Sequence, residues 1–337
     1  MLQPSLLQER IRNLVQRYGP HWKQQNQQAV IATSLRHSSW SLLARTPEHL
    51  LALEAVLQQE LGQQPGGGTR LLAATMRYDG RTATGSQETL QQRARSLART
   101  FGSHALLQAP GRSFAGLMVV DTAVWQRALA VWRLLGVADP ATLAVVNLQP
   151  LAADWLAAGA QAKLAALQRL LPWQPTAAKA VQQCAAYVVG PSPKWLIGRL
   201  LFLQQEGTLP LLVADKQTAL REWRRQRGLP ANRRAEGEPQ LVSLNDVVTL
   251  REDKFIALLE TVAAGQPEQP AGSSSDGGTA ERYRAFMAQL PQLPAYQRLL
   301  AEGAAEAQRL AALLPPELAA AGKAKQQRQR GRRPTVP

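Results

Sequence analysis

Along most of the chain, apolar residues recur three and four positions apart, the spacing that places them on one face of an α-helix. Five stripes stand out: Leu50, Leu53, Leu57 and Leu61; Leu90, Ala94, Leu97 and Phe101; Trp125, Leu129, Trp132 and Leu135; Leu164, Leu167 and Leu171; and Leu196, Leu200 and Leu203. Each stripe is followed closely by a glycine or, once, by a Pro-Trp pair. Because glycine readily takes the left-handed conformation that ends a helix, the pattern predicts a series of similar helices.

These helix ends recur at intervals of 43, 40, 34, 37, 34 and 21 residues, and periods of about 20 to 50 residues are typical of repeat proteins. They are marked by Gly19, Gly62, Gly102, Gly136, Pro172-Trp173, Gly207 and Gly228. A shorter, more apolar segment precedes each stripe, as around Val30 and Ile31, Leu72 and Met76, Leu143 and Val146, and Val181 and Val188. One helix pair cannot bury its apolar face alone, whereas stacked pairs share a core. The sequence therefore predicts an all-α protein, an α-solenoid with about five and a half repeats between Ser5 and Gly228.

Helix starts carry a second signal, a capping side chain followed by proline. Thr46-Pro47 and Ser192-Pro193 precede two of the apolar stripes, and Asp139-Pro140 precedes a shorter segment. A Ser, Thr or Asp side chain accepts a hydrogen bond from the first helical turn, and proline suits the first helical position. These pairs predict where three helices begin.

Composition divides the chain into six segments. We predict an N-terminal partial repeat or targeting remnant, the repeats, a C-terminal cap of the solenoid, a flexible linker rich in Gly and Ser, a helical appendage, and a basic disordered tail. In that order they cover residues 1–28, 29–228, 229–265, 266–280, 281–321 and 322–337.

The charge balance points to a polyanionic partner. Lys and Arg number 39 against 24 acidic residues, a formal net charge of +15. Such an excess is typical of proteins that bind nucleic acid, although solubility alone is the simpler explanation. No stretch of 18 apolar residues is present, so no membrane-spanning helix is predicted. The single cysteine, Cys184, cannot form an internal disulfide, and because it lies in an apolar helical stretch it is predicted to be a core residue.

Motifs that would carry catalysis or a cofactor are not found in the sequence. There is no phosphate-binding loop, no dinucleotide-binding fingerprint and no nucleophile elbow. Gly66-Gly67-Gly68 is interpreted as a turn between repeats. His21, His37, His49 and His104 lack metal-ligand spacing. We therefore expect a binding protein without catalytic activity, cofactor or metal.

Basic residues that recur on the stripe-bearing helices are the candidate nucleic-acid contacts. In a solenoid equivalent helices line one face, so these charges would follow a groove. Arginine binds phosphate oxygens with two parallel hydrogen bonds, which favours it for this role. The candidates are Arg93, Arg95, Arg99, Arg127, Arg133, Lys163, Arg169, Lys194 and Arg199, with the dense cluster Arg221, Arg224, Arg225 and Arg227. For any one of them a solvated helix face is an equally good interpretation.

Four tryptophans have two interpretations. Trp125, Trp132, Trp155 and Trp195 have the flat rings that stack on bases. They also lie in apolar stretches, so core packing is the favoured interpretation.

One unit runs from Gln183-Cys184-Ala185-Ala186-Tyr187-Val188-Val189 through Ser192-Pro193 to Arg199-Leu200-Leu201-Phe202-Leu203 and Gly207. Its order, a first helix, a proline-marked turn and a second helix that closes on glycine, resembles the repeats of the mitochondrial transcription termination factor (mTERF) family, of the plant and algal organellar type. The segments from Ala32 to Gly62 and from Met76 to Gly102 are similar. The run from Leu241 to Phe255, with Asp253-Lys254-Phe255, resembles the segment that closes many family members. The chain departs from the family pattern where Ala219-Leu220-Arg221 replaces the expected Pro-Arg of the last repeat.

The resemblance implies a curved superhelix with a basic concave groove. It implies a monomer that binds nucleic acid in a mitochondrion or chloroplast, with double-stranded DNA favoured, and regulates transcription, for example by termination. Two alternatives remain open: an RNA-binding factor in splicing or ribosome assembly, and a helical scaffold attached to an organellar ribosome.

Overall fold

The residues that the structure describes are mostly helical. The computed structural model describes residues 3–22, 45–61, 65–78, 86–103, 116–118, 121–146, 153–230, 238–264 and 278–320, with residues 28, 31, 106, 114 and 151. Their only sheet is a pair of two-residue strands, so the predicted all-α class is confirmed. The chain divides into two compact units, one of Met1–Arg133, Ala138–Ala153 and Pro316–Pro337, and one of Leu134–Val137 and Asp154–Pro315.

The first unit is built around the helix Pro47–Glu60. Its described helices are α1 (Pro4–Tyr18), α2 (Pro47–Glu60), α3 (Gly67–Tyr78), α4 (Gln87–Phe101), α5 (Thr122–Leu134), α6 (Pro140–Val146) and α15 (Pro316–Ala320). Helix α2 packs against α3 and α4, α1 contacts α3, and α4 contacts α6. The indole of Trp22 donates a 2.9 Å hydrogen bond to the Ala73 carbonyl, which ties the end of α1 to α3.

A buried carboxylate joins three elements of this unit. Glu54 of α2 is 6% exposed and accepts two 2.6 Å hydrogen bonds from the Arg17 guanidinium. It also accepts hydrogen bonds from the hydroxyls of Tyr18 and Thr69. Burial opposes ionisation, but the hydrogen bonds from these three donors together outweigh it, so the pKa of Glu54 is lowered. The ionised carboxylate thus holds α1, α2 and α3 together.

The second unit begins and ends with helices that pack on each other. Its helices are α7 (Ala158–Leu170), α8 (Ala177–Val189), α9 (Pro193–Gln205), α10 (Lys216–Gln226), α11 (Leu244–Thr249), α12 (Glu252–Ala264), α13 (Thr279–Gln289) and α14 (Pro294–Leu313). Helix α7 contacts α8 and α9, and α14 returns to lie along α7. Strands β1 (Leu212–Val213) and β2 (Val242–Ser243) pair in parallel on either side of α10 in the sequence.

The predicted apolar stripes form the core. All five are buried, with Leu53, Leu57, Trp132, Leu167 and Leu200 almost completely inaccessible. The side chains of Thr46, Asp139 and Ser192 cap α2, α6 and α9 as predicted, each accepting from a backbone amide three residues on.

Positive φ angles mark several of the predicted helix ends. Gly102, Gly136, Gly207 and Gly228 have φ between 66° and 88°, which confirms their role as helix stops. Gly19 is different, because its φ of −52° is helical and it begins a short 3₁₀ turn. Gly62 lies outside the described residues.

Two further expectations need correction or extension. Only Gly66 of the predicted glycine turn has a positive φ, since α3 begins at Gly67 and continues through Gly68. The region 281–321 is predicted to be a helical appendage, but α13 packs against α9 and α12, and α14 packs against α7 and α9. These two helices are therefore part of the core of the second unit. Most of the predicted linker and all of the predicted basic tail lie outside the described residues.

Candidate nucleic-acid interface

Arg199, one of the predicted nucleic-acid contacts, lies in the core. Its side chain is 0% exposed, and its guanidinium carbon lies 3.6 Å and 4.2 Å from the ring centroids of Trp195 and Phe255. Nη1 donates hydrogen bonds of 2.7 Å and 2.8 Å to the carbonyls of Val247 and Leu250. These carbonyls end α11, where a cation interacts favourably with the helix dipole. The prediction of a surface role for Arg199 is therefore wrong.

Two more candidates are buried. Lys163 is 5% exposed, and its Nζ donates a 2.6 Å hydrogen bond to the carbonyl of Pro191. Burial lowers the pKa of Lys163 to about 8. Arg127 is 4% exposed in α5. Helices α5 and α7 are covered on more than one face, so polar positions beside their apolar stripes are buried too. For Lys163 and Arg127 the predicted surface position is also wrong.

A second group of candidates is engaged with acceptors of the protein itself. Arg93 donates a 2.8 Å hydrogen bond to the Met118 carbonyl. Three others form ion pairs of 2.8 Å: Arg95 with Glu60, Arg169 with Glu302, and Arg224 with Glu238. The Arg224 pair is the most enclosed, with side chains 14% and 11% exposed. Its main role is to attach α10 to the chain that precedes β2.

The remaining candidates are exposed. Arg99 and Arg133 lie at the surface of the first unit, and Lys194 at the start of α9 in the second. The other three belong to the cluster on α10: Arg221 and Arg225 within the helix, and Arg227 just after its last residue. This helix is therefore the place where the structure brings exposed predicted contacts together.

Helix α10 is an unusually exposed element of the second unit. None of its residues is buried, although it lies between β1 and β2 in the sequence. The Asp215 side chain caps its first turn, accepting a 2.6 Å hydrogen bond from the Thr218 amide. Arg221 and Arg225 are four residues apart and share one face of the helix. The arrangement presents a short row of guanidinium groups to solvent.

Two neighbours complete this surface and were not among the predicted contacts. The guanidinium carbon of Arg227 lies 4.3 Å from the ring centroid of Trp223, a cation–π contact that orients the arginine at the end of the helix. Lys216, in the first turn, is half-buried and adds a further positive charge. Trp223 could have been noticed in the sequence as an aromatic residue inside a basic cluster.

The single acid within α10 is paired. Glu222 accepts hydrogen bonds of 2.9 Å and 2.8 Å from Arg225 and one of 3.1 Å from Gln226. The Arg225 hydrogen bond is the largest of the effects that lower the pKa of Glu222. The Arg225 side chain is 79% exposed and that of Glu222 is 46% exposed. Exposed ion pairs are weak, so a phosphate can compete with Glu222 for Arg225.

The tryptophan prediction holds for three of the four residues. Trp125, Trp132 and Trp155 are at most 1% exposed and pack in the core. Trp195 is half-buried and carries Arg199 on its ring, with its indole donating a 3.2 Å hydrogen bond to the Val248 carbonyl. Cys184 is buried as predicted, and burial raises the pKa of its thiol to about 11.

Two other kinds of feature, a metal site and a membrane-spanning helix, bear on what the protein can do. In the described part of the chain, no cluster of three His, Cys, Asp or Glu side chains is arranged to hold a metal ion, and no helix has the length and apolar character needed to cross a bilayer. Comparison with protein-family models, curated proteins and solved structures found no match to this chain.

Proposed function

We propose that this protein binds nucleic acid through α10 and regulates gene expression in an organelle, with double-stranded DNA as its favoured partner. The observation that carries the proposal is the exposed row of Arg221, Arg225 and Arg227 on a helix without buried residues. The net charge of +15 supports a polyanionic partner. The organelle and the preference for DNA rest on the resemblance of the sequence repeats to mTERF repeats, and we propose that these repeats stack as an α-solenoid.

The chemistry of this surface suits phosphate better than base edges. Each guanidinium offers a planar fork of N–H donors to two phosphate oxygens, and the contact releases counterions condensed on the nucleic acid. Affinity should therefore fall steeply with salt, and the slope of log affinity against log salt should steepen by about 0.9 for each phosphate contacted. The bound protein would act sterically, by blocking or recruiting a polymerase.

The test is fluorescence anisotropy with the full-length protein, a labelled DNA duplex and a labelled single-stranded RNA, over a series of salt concentrations. We expect tighter binding to the duplex. The variant Arg221→Ala/Arg225→Ala/Arg227→Ala should lower the slope of log affinity against log salt by about 3, because three phosphate contacts are removed.

A matched control exists for the central arginine. Arg309 on α14 pairs with Glu306 three residues away at 2.7 Å, as Arg225 pairs with Glu222 at 2.8 Å. Arg309→Ala should therefore leave the affinity for the duplex and its salt dependence unchanged. Arg225→Ala should lower the affinity and make the slope of log affinity against log salt shallower. If the triple variant binds the duplex as the wild type does, α10 is not the contact surface. If the protein binds the single-stranded RNA more tightly than the duplex, RNA and not double-stranded DNA is the favoured partner.

A further inference from the structure

Trp195 is the surface member of a group of three contacting side chains in the second unit. The guanidinium carbon of Arg199 lies 4.2 Å from the ring centroid of Phe255 and 3.6 Å from that of Trp195. Phe255 and Arg199 are inaccessible, whereas Trp195 is half-buried. Because the face of the indole that carries Arg199 is closed, solvent reaches the ring from the side away from Arg199.

The indole of Trp195 is held in place by the residues around it. Its Nε1 donates a 3.2 Å hydrogen bond to the Val248 carbonyl. The guanidinium of Arg199, on which the ring rests, is itself held by the carbonyls of Val247 and Leu250. A ring that is already ordered loses little conformational entropy when a ligand stacks on it.

Arg199 decides which kind of planar ligand suits the open side of the indole. It donates to two backbone carbonyls and to the Tyr283 hydroxyl, at 3.3 Å, so none of its hydrogen bonds in the described part of the chain reaches a carboxylate. Its positive charge already uses the negative face of the ring and repels a second cation. The exposed side of Trp195 is therefore suited to a neutral aromatic group that belongs to an anionic molecule.

The charge next to the ring agrees with such a ligand. Lys194 is exposed and precedes Trp195 in the first turn of α9, where it can contact a phosphate. The acid at the start of α12, Glu252, pairs with Arg284 at 3.6 Å, so part of its charge is compensated. A nucleotide combines the two features required, a flat base and a phosphate.

We propose that Trp195 stacks on an unpaired base of a nucleic acid. The inference rests on the proposed function, since it takes the partner to be a nucleic acid, and adds a contact to a base where α10 contacts phosphates. Every base has a π face, so this contact should accept all four bases. A duplex offers such a base only at a strand end or at an open pair.

Fluorescence anisotropy of the full-length protein with two labelled single-stranded DNAs tests this contact. One is oligothymidylate, and the other is an abasic strand of the same length, which has the same phosphates and no bases. The ratio of their affinities therefore measures contacts to bases alone, and the wild type should favour oligothymidylate. Trp195→Leu should lower this ratio at least about fivefold, the low end of the loss expected for one base–aromatic stack.

Two control variants separate stacking from damage to the fold. Trp195→Phe keeps an aromatic ring on Arg199 and should retain most of the preference for oligothymidylate. Trp173→Leu removes another half-buried indole, in the turn between α7 and α8, and should leave the ratio unchanged. Circular dichroism checks that all three variants are folded.

The same measurement distinguishes this inference from the proposed function. Arg221→Ala/Arg225→Ala/Arg227→Ala should weaken binding of both strands and keep their ratio, because phosphates are common to both. If this triple variant binds both strands as the wild type does, the role of α10 is wrong while the role of Trp195 stands. The inference about Trp195 is overturned if the wild type binds neither strand, if it binds both equally, or if Trp195→Leu keeps the wild-type ratio.

Discussion

Arg199, Lys163 and Arg221 all looked alike in the sequence, as basic residues on amphipathic helices. In the structure Arg199 is inaccessible and hydrogen-bonds carbonyls of α11, and Lys163 hydrogen-bonds the Pro191 carbonyl. Arg221 is exposed on α10. The difference is set by what packs over each position, because a long side chain with an apolar stem can be buried wherever its charged end reaches an acceptor.

Lys163 has a measurable consequence for the dependence of stability on pH. Burial lowers its pKa from 10.5 in the unfolded chain to about 8 in the folded protein, so the unfolded state binds more protons between these values. Its contribution to the free energy of unfolding therefore rises as pH increases from about 8 to about 10.5. Below that window the folded protein bears a buried charge that costs about 3 kcal/mol.

Replacing this residue with an apolar side chain removes the cost. Lys163→Met should unfold at higher denaturant concentration than the wild type at pH 7, and this advantage should shrink by about 3 kcal/mol as the pH approaches 11. Urea titrations followed by circular dichroism at several pH values measure it. Lys194→Met, at an exposed position, is the control for the substitution itself. If the difference in free energy of unfolding between Lys163→Met and the wild type did not change with pH, Lys163 would not be the buried charge inferred from the structure.

At the scale of elements, helices α7 and α14 approach each other closely. A Cβ on Gly303 of α14 would lie 2.3 Å from the backbone nitrogen of Ala162 and 2.6 Å from the carbonyl oxygen of Ala158. The two helices are therefore in backbone contact at this point, and Arg169 and Glu302 close the contact with an ion pair. No side chain larger than hydrogen fits without separating the helices.

Gly303→Ala should consequently destabilise the protein, although alanine is the better helix former by about 1 kcal/mol. We expect a loss of about 2 kcal/mol or more in the free energy of unfolding, because the obstructing atoms belong to backbone. Gly198→Ala on α9 is the comparison: its Cβ would meet the side-chain ends of Met287 and Leu290, which can move. Chemical denaturation should show the larger loss for Gly303→Ala, and equal losses would mean that α7 and α14 adjust freely.

For the molecule as a whole, the contact between α7 and α14 closes the second unit on itself. The first and last helices of this unit pack together, so its core is complete within Asp154–Pro315 apart from the short Leu134–Val137 segment. Arg282 adds a 2.8 Å ion pair from α13 to Glu206, just after α9.

This closure predicts how pieces of the chain behave. A fragment of residues 154–315 should be helical and unfold cooperatively on heating, because it retains both partners of the closing contact. A fragment of residues 154–264 should lose that cooperativity, since the faces of α7 and α9 against which α13 and α14 pack would be exposed. Thermal melts followed by circular dichroism compare the two. Cooperative melting of the shorter fragment would show that α13 and α14 are dispensable.

Much of the local structure could be predicted from the sequence, because the stripes, caps and terminal glycines are signals within one helix. The Leu50–Leu61 stripe and the Ser192 cap are examples that the structure confirms. Long-range packing left no comparable signal: nothing around Gly303 indicated that α14 lies against α7. Because the sequence carries no sign of long-range packing, the basic residues could be identified as candidate contacts, but the buried ones could not be told from the exposed ones.

The contact between α7 and α14 also determines how long part of α7 lacks its packing partner during synthesis. Ala162 and Gly303, which meet in the folded protein, are separated by about 140 residues. At about 5–20 residues per second of synthesis, α7 waits on the order of ten seconds before α14 leaves the ribosome. During that interval the apolar face of α7 is exposed to other chains in the compartment. The order of synthesis therefore predicts a period in which the nascent chain can aggregate, and the length of that period is set by the topology of the second unit and not by its final stability.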